Sequence, residues 1–548
     1  MKRLAGVGLA SVIALGLAES GTEDASLARA LAGVRAPAVR AHVAFLADDL
    51  LEGRETGTRG YDLAARYVAT QLALLGLAPG GDGGTYFQQV PLVESRLLEA
   101  TLRLRTASGT TALALRDDFV MSGDTLRNEA RVEAPVVFAG FGVTAPGLGH
   151  DDYAGLDVKG KIVALLSNAP ARFASEERAY HASRQRKAEN AAAHGAVGLL
   201  TIRTPQEEAR TPWSRVLAFA DGKASRWIRP DGTPEGALPA LQASAALSGE
   251  AARRLFATSP VPLETALERA QAGPFTGFAL GVTATLGSRS EHERVASPNV
   301  VGVLEGSDPV LRASYVVYSA HLDHVGLGPA EGGDGVYNGA YDNALGTAVV
   351  LEAARVMAGL EPRPRRSLLF LFVTGEERGL LGSDYFASHP TVPASGIVAN
   401  VNIDMPLLLY PLSDVVAFGA ENSTLEAKAR AAAAAVGLTL SPDPMPEETI
   451  FVRSDQYSFV RKGIPAVYLS PGMRSADPAR DGAKLFREFL GRHYHRPSDD
   501  PSLAIDEDAI LRYTRANVAL GHAIAQDAAP PRWKPGNFFG ETFASGAR

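Results

Sequence analysis

Cysteine is absent from the 548-residue sequence. The chain therefore forms no disulfide bond, has no thiolate to offer to a metal ion and cannot be anchored through a lipid on a cysteine. Catalysis by a thiol nucleophile is excluded as well. Any metal ion that the protein binds must be held by histidine, aspartate and glutamate side chains.

A strong excess of charge of one sign is also missing. The net charge is −7, with both signs interspersed, so the composition gives no reason to expect nucleic acid as a partner. The sequence contains neither His-Glu-x-x-His nor Gly-x-Ser-x-Gly, and it shows no internal repeat. The length exceeds that of one ordinary core, which predicts at least two domains.

The N-terminal residues predict export. Lys2 and Arg3 precede an apolar run from Leu4 to Leu17, and Gly16-Leu17-Ala18 has the small-x-small pattern of a cleavage site. The run is short for a membrane span, which disfavours a membrane anchor. We therefore expect a cleaved signal peptide at residues 1–18, a periplasmic or secreted protein, and no stable association with the membrane after cleavage.

The rest of the chain is predicted to contain an interrupted domain. Residues 27–80 have mainly helical patterns and are followed by alternating strands, whereas residues 131–283 have another mixture of strands and helix, without any candidate metal ligand. An α/β pattern begins at about residue 284. We predict one domain from residues 27–130 and 284–528, an inserted module at 131–283, and a Gly/Pro-rich tail at 529–548.

Short apolar runs alternate with helical segments after residue 284. The clearest runs predict buried strands at residues 299–304, 315–318, 367–373, 398–403 and 466–469. This alternation indicates a three-layer α/β/α domain, in which helices cover both faces of a mostly parallel sheet. Binding sites in such sheets lie beyond the carboxyl ends of the strands.

Candidate metal ligands stand at those strand ends. His321, the pair Glu376-Glu377 and Asp404 each follow a predicted strand, so we expect them at one edge of the sheet. Asp342 and His495 complete the set. Two histidines and three carboxylates suit zinc with open coordination positions. The alternative histidine ligands are His324 and His493, since any neutral imidazole can bind zinc.

Five side chains can serve two metal ions only if one carboxylate bridges them. Asp342 is the candidate, because the nearby Gly339 allows the backbone to come close to the site. Taken alone, an aspartate before a helix, such as Asp342, is usually an ordinary helix cap. The tandem glutamates Glu376 and Glu377, taken alone, are equally consistent with a solvated helix start.

The neighbours of these ligands suggest further roles. Asp323 stands two residues after His321, and side chains two apart on a strand point the same way. We therefore expect the Asp323 carboxylate to hold the ring proton of His321. Glu376 and Glu377 need different roles because adjacent side chains point apart. One would bind metal and the other would act as a general base towards the attacking water.

At these positions the sequence resembles the co-catalytic di-zinc aminopeptidases, a family that includes bacterial leucyl aminopeptidases and glutamate carboxypeptidase II. The resemblance rests on five stretches in matching order and spacing: His321-Leu322-Asp323, Gly339-Ala340-Tyr341-Asp342-Asn343, Glu376-Glu377-Arg378-Gly379-Leu380-Leu381-Gly382-Ser383, Asn402-Ile403-Asp404 and Tyr494-His495-x-x-x-Asp499. In addition, residues 131–283 resemble the protease-associated domain inserted in several members, through the stretches 138–142 and 151–161.

The resemblance implies a binuclear zinc site with two Zn²⁺ per chain. Asp342 would bridge the ions. The remaining ligands divide into one pair on each ion, namely His321 with Asp404 and Glu377 with His495.

The resemblance also implies catalytic roles around that site. Glu376 would be the general base, and Tyr494 would help to stabilise the tetrahedral intermediate. Asp323 and Asp499 would orient the histidines. Gln456 departs from the family pattern, because relatives often carry histidine at this position near the substrate pocket.

The implied reaction is removal of amino acids from the free N-terminus of peptides. A carboxypeptidase or dipeptidase on the same zinc core is the first alternative, which a basic cluster in the pocket would favour. A glutaminyl cyclase is a second, but it needs only one zinc ion. A non-catalytic binding protein is a third, against which the intact Glu376 argues.

Overall fold

The computed structural model describes residues 25–273 and 275–544, so the predicted signal peptide at residues 1–18 lies outside the described part. The chain forms two compact units. Among the described residues, the first unit comprises those up to Val90 together with those from Ala296 onward, and the second comprises those of Pro91–Val295. Within the described residues, no helix combines the length and the apolar character needed to cross a membrane.

The first unit is built on a mixed, mostly parallel sheet. Its central strand, Tyr315–His321, pairs in parallel with Ser367–Val373 on one side and Ile397–Asn402 on the other. All residues of Ser367–Val373 are buried, as expected for an apolar strand that is covered on both faces. In spatial order the strands of this sheet are Thr439–Ser441, Asp414–Phe418, Ala466–Pro471, Ile397–Asn402, Tyr315–His321, Ser367–Val373 and the C-terminal part of Phe278–Leu304.

Alternate side chains of the central strand point to opposite faces of the sheet. Val316 and Tyr318 lie in a large apolar cluster with the helices of one face, whereas Val317 packs with Phe386 and Phe459 on the other. The predicted α/β/α architecture is therefore confirmed. The helices of this unit are Ala36–Leu46, Arg59–Leu74, Leu345–Ala358, Leu381–Ser388, Leu425–Ala435, Gln456–Val460, Gly482–Arg492 and Glu507–Gln526. Its remaining short strands are Ala78–Pro79, Gly326–Glu331 and Asp334–Tyr337.

The second unit has its own hydrophobic core. Strand Glu129–Phe138 pairs antiparallel with the N-terminal part of Phe278–Leu304 and parallel with Ile162–Leu166. The sheet continues through Gly198–Ile202, Ala243–Leu247 and Phe119–Val120. The remaining strands between residues 87 and 295 are Phe87–Thr106, Gly109–Leu113, Thr144–Ala145, His150–Asp151 and Ala224–Trp227. The helices are Ser175–Ala182, Arg184–Ala193, Pro205–Arg210, Trp213–Ala218, Gly249–Leu255 and Leu263–Ala272.

The second unit is wider than the module predicted at residues 131–283. It begins at Pro91 because Leu104, Phe119 and Met121 bury their side chains in the same cluster as Val132. The boundary predicted after residue 130 misses these contacts, which join strands distant in sequence. The resemblance of this unit to a protease-associated domain stays a prediction.

Candidate metal centre

Parallel strand register brings the candidate ligands to one edge of the sheet. His321 is the last residue of its strand and pairs with Val373, the last residue of the neighbouring strand. Glu376 and Glu377 follow Val373 in a turn, and Asp404 follows the strand that ends at Asn402. These residues therefore lie at one edge of the sheet, where the ends of the predicted strands placed them.

Two loops supply the remaining candidates. Asp342 lies in the segment Ala340–Ala344, directly before the helix Leu345–Ala358. Its approach depends on Gly339, which has φ of 58°. A Cβ at this position would lie 2.1 Å from the Asp342 carbonyl oxygen and 2.5 Å from the His324 ring. Only glycine fits there, as expected from the sequence. His495 follows the helix Gly482–Arg492.

The two carboxylate oxygens of Asp342 face two different groups of side chains. On one side, Oδ1 lies 3.3 Å from His321 Nε2, which is also 3.0 Å from Asp404 Oδ1. On the other side, Oδ2 lies 3.1 Å from His495 Nε2, which is also 3.1 Å from Glu377 Oε2. All five candidate ligands predicted from the sequence thus converge, and Asp342 is the residue that contacts both groups.

His324 also enters this cluster, whereas His493 does not contribute to the contacts that form it. The Nδ1 atom of His324 lies 2.8 Å from Glu377 Oε1. Its ligand atom lies with those of Asp342 and Glu377 within 4.8 Å of one another. His493 instead has its Nδ1 atom 3.0 Å from the Ser498 carbonyl oxygen. Of the alternative histidines considered from the sequence, only His324 therefore lies in a position to bind the same ion as Glu377.

The chemistry of the donor atoms fits a bound cation. His321 Nδ1 lies 3.0 Å from the carbonyl oxygen of Asp323, which can only accept a hydrogen bond, so Nδ1 carries the ring proton. The Nε2 lone pair then faces the carboxylates of Asp404 and Asp342, which are acceptors too. A proton or a metal ion must lie between them, and zinc accepts this mixture of imidazole and carboxylate ligands.

The pKa shifts of these groups result from the close packing of histidine and carboxylate side chains. Burial by itself would lower the pKa of His321, but Asp404 and Glu376 raise it well above its ordinary value. In the other group, burial is likewise opposed by Glu377 and Asp342, and the pKa of His495 rises to about 10. Burial would raise the pKa of Asp342, but hydrogen bonds with His321 and His495 lower it well below its ordinary value.

Asp323 does not hold the ring of His321 with its carboxylate, contrary to the sequence-based expectation. Its backbone carbonyl does so, while the carboxylate accepts hydrogen bonds from Glu376 N at 3.1 Å, Glu377 N at 3.3 Å and Thr56 Oγ1 at 3.1 Å. The strand ends at His321, so the alternation of side chains on which the expectation relied no longer applies at Asp323. Asp323 therefore fixes the turn that carries the two glutamates.

Asp499 likewise has a different partner from the one expected. Its carboxylate accepts hydrogen bonds from Tyr341 N at 2.9 Å and from Asp342 N at 3.1 Å. Burial raises the pKa of Asp499 to about 6, opposed by these backbone hydrogen bonds. Asp499 thus orients the backbone of the bridging candidate, and the expectation that it acts on a histidine is not supported by these contacts.

The two predicted catalytic side chains lie beside the ligand cluster. Burial raises the pKa of Glu376 well above its ordinary value, and the carboxylates of Asp404 and Glu377 raise it further. The Tyr494 ring packs on the His495 ring, with 3.9 Å between the centroids. Burial raises the pKa of Tyr494 well above its ordinary value, so its hydroxyl group stays a hydrogen-bond donor at neutral pH.

Sequence reasoning missed Arg54, a fully buried guanidinium group behind the site. Its Nε donates to the Leu322 carbonyl at 3.0 Å, Nη1 donates to the Asn338 carbonyl at 2.6 Å and Nη2 donates to the Gly339 carbonyl at 3.0 Å. Arg54 thus joins the loop after His321 to the loop before Asp342. The sequence offered only the turn-rich stretch from Gly53 to Thr58 as a signal.

Asp455 is a second residue that the sequence did not reveal. Its carboxylate is fully buried next to the Ser383 side chain. Burial raises the pKa of Asp455 to about 7. The nearby His321 lowers this pKa, whereas Asp404 raises it further. The neighbouring Gln456 is fully buried as well, and it hydrogen-bonds to the Phe451 carbonyl and the Asn402 side chain. Gln456 therefore belongs to the scaffold of the site.

Together, these observations define an α/β protein with a cluster of mostly buried histidine and carboxylate side chains at the carboxyl edge of its sheet. Residues 299–521 match the model of Peptidase family M28. The resemblance inferred from the five motif stretches is thereby confirmed.

Known proteins resemble the chain over different lengths. The aminopeptidase from Aneurinibacillus sp. strain AM-1 superposes with a TM-score of 0.53 at 20% identity, covering 92% of this chain and 96% of that one. Probable leucine aminopeptidase 2 of Aspergillus fumigatus is 27% identical over 46% of this chain and 49% of its own length. Aminopeptidase NAALADL1 of Mus musculus is 32% identical over 24% of this chain and 17% of its own length. The chain thus spans half or less of these two curated relatives.

Proposed function

We propose that the protein is a di-zinc aminopeptidase that hydrolyses the N-terminal peptide bond of peptides. The observation that carries this proposal is the arrangement around Asp342, whose two oxygens face His321 with Asp404 and His495 with Glu377. These five side chains would hold the ions. Two zinc ions in such a site supply an acidified water nucleophile and polarise the scissile carbonyl.

The proposed roles of the protein groups follow from their positions. Glu376 would accept a proton from the attacking water and deliver it to the leaving amine. Asp323 supports this role because it holds the backbone N–H of Glu376. Tyr494, which packs on His495, would donate a hydrogen bond to the oxyanion that develops on the substrate.

The charges around the site favour a substrate with a free amine over one with a free carboxylate. A carboxypeptidase needs a cationic group for the C-terminal carboxylate of its substrate. The arginines that flank the site motifs form ion pairs with carboxylates. Arg378 pairs with Glu55, Arg453 with Glu448 at 3.1 Å, and Arg496 with Glu331 at 3.2 Å. These pairs partly neutralise the arginines beside the motifs, which disfavours them as an anchor for a C-terminal carboxylate.

The matched relatives support the same choice, because two of the curated proteins are named aminopeptidases. The cyclase alternative uses one zinc ion and would leave part of the five-residue cluster without a role. The non-catalytic alternative gives no role to Glu376. We further propose that residues 1–18 direct export and that the Pro91–Val295 unit is a protease-associated module.

The test is hydrolysis of a panel of aminoacyl-nitroanilides by the purified protein, with and without a chelator, together with elemental analysis. We expect turnover of free-amine substrates, loss of turnover on chelation and about two zinc ions per chain. Glu376→Gln provides the control for contaminating peptidases. Cleavage of only N-blocked substrates with free carboxyl ends would favour the carboxypeptidase, and saturation at one zinc ion would favour the cyclase.

A further inference from the structure

The C-terminal segment is part of the folded first unit. Thr424 N donates to the Arg532 carbonyl at 2.9 Å and Lys534 N donates to the Asn422 carbonyl at 2.9 Å. The Trp533 indole N–H donates to the Gly463 carbonyl at 2.8 Å. Residues 533–543, here named the C-terminal strap, are therefore fixed to the unit at several points.

The strap places Phe539 under a loop beside the candidate metal centre. Phe539 is fully buried, and its ring centroid lies 5.5 Å from that of Phe451 and 6.2 Å from that of Tyr457. Phe543 stacks on Phe539 from the strap itself. Phe451 and Tyr457 belong to residues 449–457, here named the site loop. Aromatic packing of this kind couples the position of the loop to the position of the strap.

Hydrogen bonds connect the site loop to the strands that end at the ligands. The Phe451 carbonyl accepts from Gln456 Nε2 at 2.7 Å, and Gln456 Oε1 accepts from Asn402 Nδ2 at 2.8 Å. Asn402 Oδ1 in turn accepts from Ser319 Oγ at 2.6 Å. Asn402 and Ser319 stand two residues before Asp404 and His321, so the connection reaches the strand ends that carry the metal ligands.

The site loop also carries charge into the neighbourhood of the catalytic groups. Asp455, in this loop, is fully buried in the neighbourhood of His321 and Glu376. The charged group of Arg453, also in this loop, lies in the neighbourhood of Tyr494. A displacement of the loop would therefore change the electrostatic surroundings of the proposed base and of the proposed oxyanion donor together.

We propose that Phe539 is a positioning residue, which acts through Phe451 and Gln456 to hold the site loop against the candidate metal centre. The kinetic consequence rests on the proposed aminopeptidase function, but the mechanical consequence does not. Loss of the Phe539 ring should release the site loop while the ligand cluster, which lies on strand ends and separate loops, keeps its metal.

The experiment compares Phe539→Ala with Phe539→Leu and with the wild type in the full-length protein. Hydrogen exchange of peptides covering residues 446–460 should be roughly tenfold faster in Phe539→Ala, because this region loses its packing partner. Zinc content should stay unchanged. The ratio kcat/KM should fall roughly 10- to 100-fold, as misplacement of groups at a site does. Phe539→Leu keeps most of the apolar contact. It should therefore largely restore the wild-type exchange rate at residues 446–460 and the wild-type kcat/KM.

Ile524→Ala is the matched control, because Ile524 is fully buried and its carbonyl lies beside Arg366, before the start of the strand Ser367–Val373. It removes a buried apolar side chain at the other end of the sheet. If Phe539→Ala behaves like Ile524→Ala, with a lower unfolding midpoint but wild-type exchange at 446–460 and wild-type KM, Phe539 is ordinary packing and the proposal is wrong. Faster exchange in a protein that cleaves no peptide would instead contradict only the proposed function.

Discussion

The carboxylate of Asp323 accepts the backbone N–H of Glu376 at 3.1 Å. It accepts the N–H of Glu377 at 3.3 Å as well, so one buried carboxylate fixes both residues of the turn. The proposed base and a proposed ligand are thereby held by the same group. Asp323 therefore supports the candidate ligand Glu377, although Asp323 stands only two residues from His321 in the sequence.

Asp323→Asn should therefore weaken the binding of the zinc ion that Glu377 would hold. The asparagine amide keeps one acceptor oxygen. Its NH₂ group would face a backbone N–H, and because both are donors one hydrogen bond is lost. We expect roughly 10–100-fold weaker zinc affinity, as for other residues that support a ligand. A double-mutant cycle, measured by zinc competition, should show coupling with Glu377→Gln and additivity with His321→Asn. Coupling with His321 alone would restore the role first expected for Asp323.

Glu376 and Glu377 should separate into a base and a ligand. Glu376→Gln keeps size and hydrogen bonding but cannot take a proton, so turnover should fall by on the order of 10²–10⁴ with full zinc content. Glu377→Gln should lose an ion or bind it weakly. Turnover and metal content measured on both variants decide the assignment. If Glu376→Gln is the variant that loses zinc, the two roles are exchanged.

His495 should be a stronger ligand than His324. The Nε2 atom of His495 lies 3.1 Å from both Asp342 and Glu377, whereas the Nδ1 atom of His324 lies 2.8 Å from Glu377. His495→Asn should therefore remove the second ion, and His324→Asn should keep two ions. Zinc titration against a competing chelator measures this difference. The opposite pattern would assign the ligand to His324.

Arg54→Met should destabilise the protein strongly. The substitution leaves the carbonyls of Leu322, Asn338 and Gly339 without their buried donor, at a cost of about 1–3 kcal/mol for each group left unsatisfied. Arg54→Lys should rescue little, because an ammonium group lacks the planar fork that reaches several acceptors. Urea unfolding provides the measurement. The exposed Arg59→Met is the control, with an expected change within about 0.5 kcal/mol.

Lys187 in the second unit should make stability depend on pH. Its ammonium group is buried and donates to the Leu166 carbonyl at 2.9 Å, and burial lowers its pKa from 10.5 to about 7, opposed by Asp152. Between these values the unfolded chain binds a proton that the folded chain does not. The contribution of Lys187 to the free energy of unfolding therefore rises from about pH 7 to 10.5.

Lys187→Met should remove this rise, since methionine does not titrate. Urea unfolding at several pH values between neutral and alkaline conditions measures the slope for each variant. The exposed Lys159→Met is the matched control and should keep the wild-type slope. An unchanged slope in Lys187→Met would mean that the ammonium group stays charged in the fold, held by its carbonyl partners.

The sequence by itself determined the fold of the first unit and the identity of the candidate ligands. Apolar runs such as residues 367–373 are buried strands, because a run of this composition is stable only when both faces are covered. Parallel strands end at one edge, so His321, Glu377 and Asp404 had to lie near one another once the strands were recognised. These conclusions depend on local pattern and chain order alone.

Only the tertiary structure decided what the supporting residues contact. Asp323 and Asp499 lie in loops, where the direction of a side chain depends on the local turn and no longer on strand alternation. Arg54 reaches carbonyls that are distant along the chain, and Phe539 packs under a loop that precedes it by many residues. Such partners are selected by three-dimensional packing, which no local pattern in the sequence records.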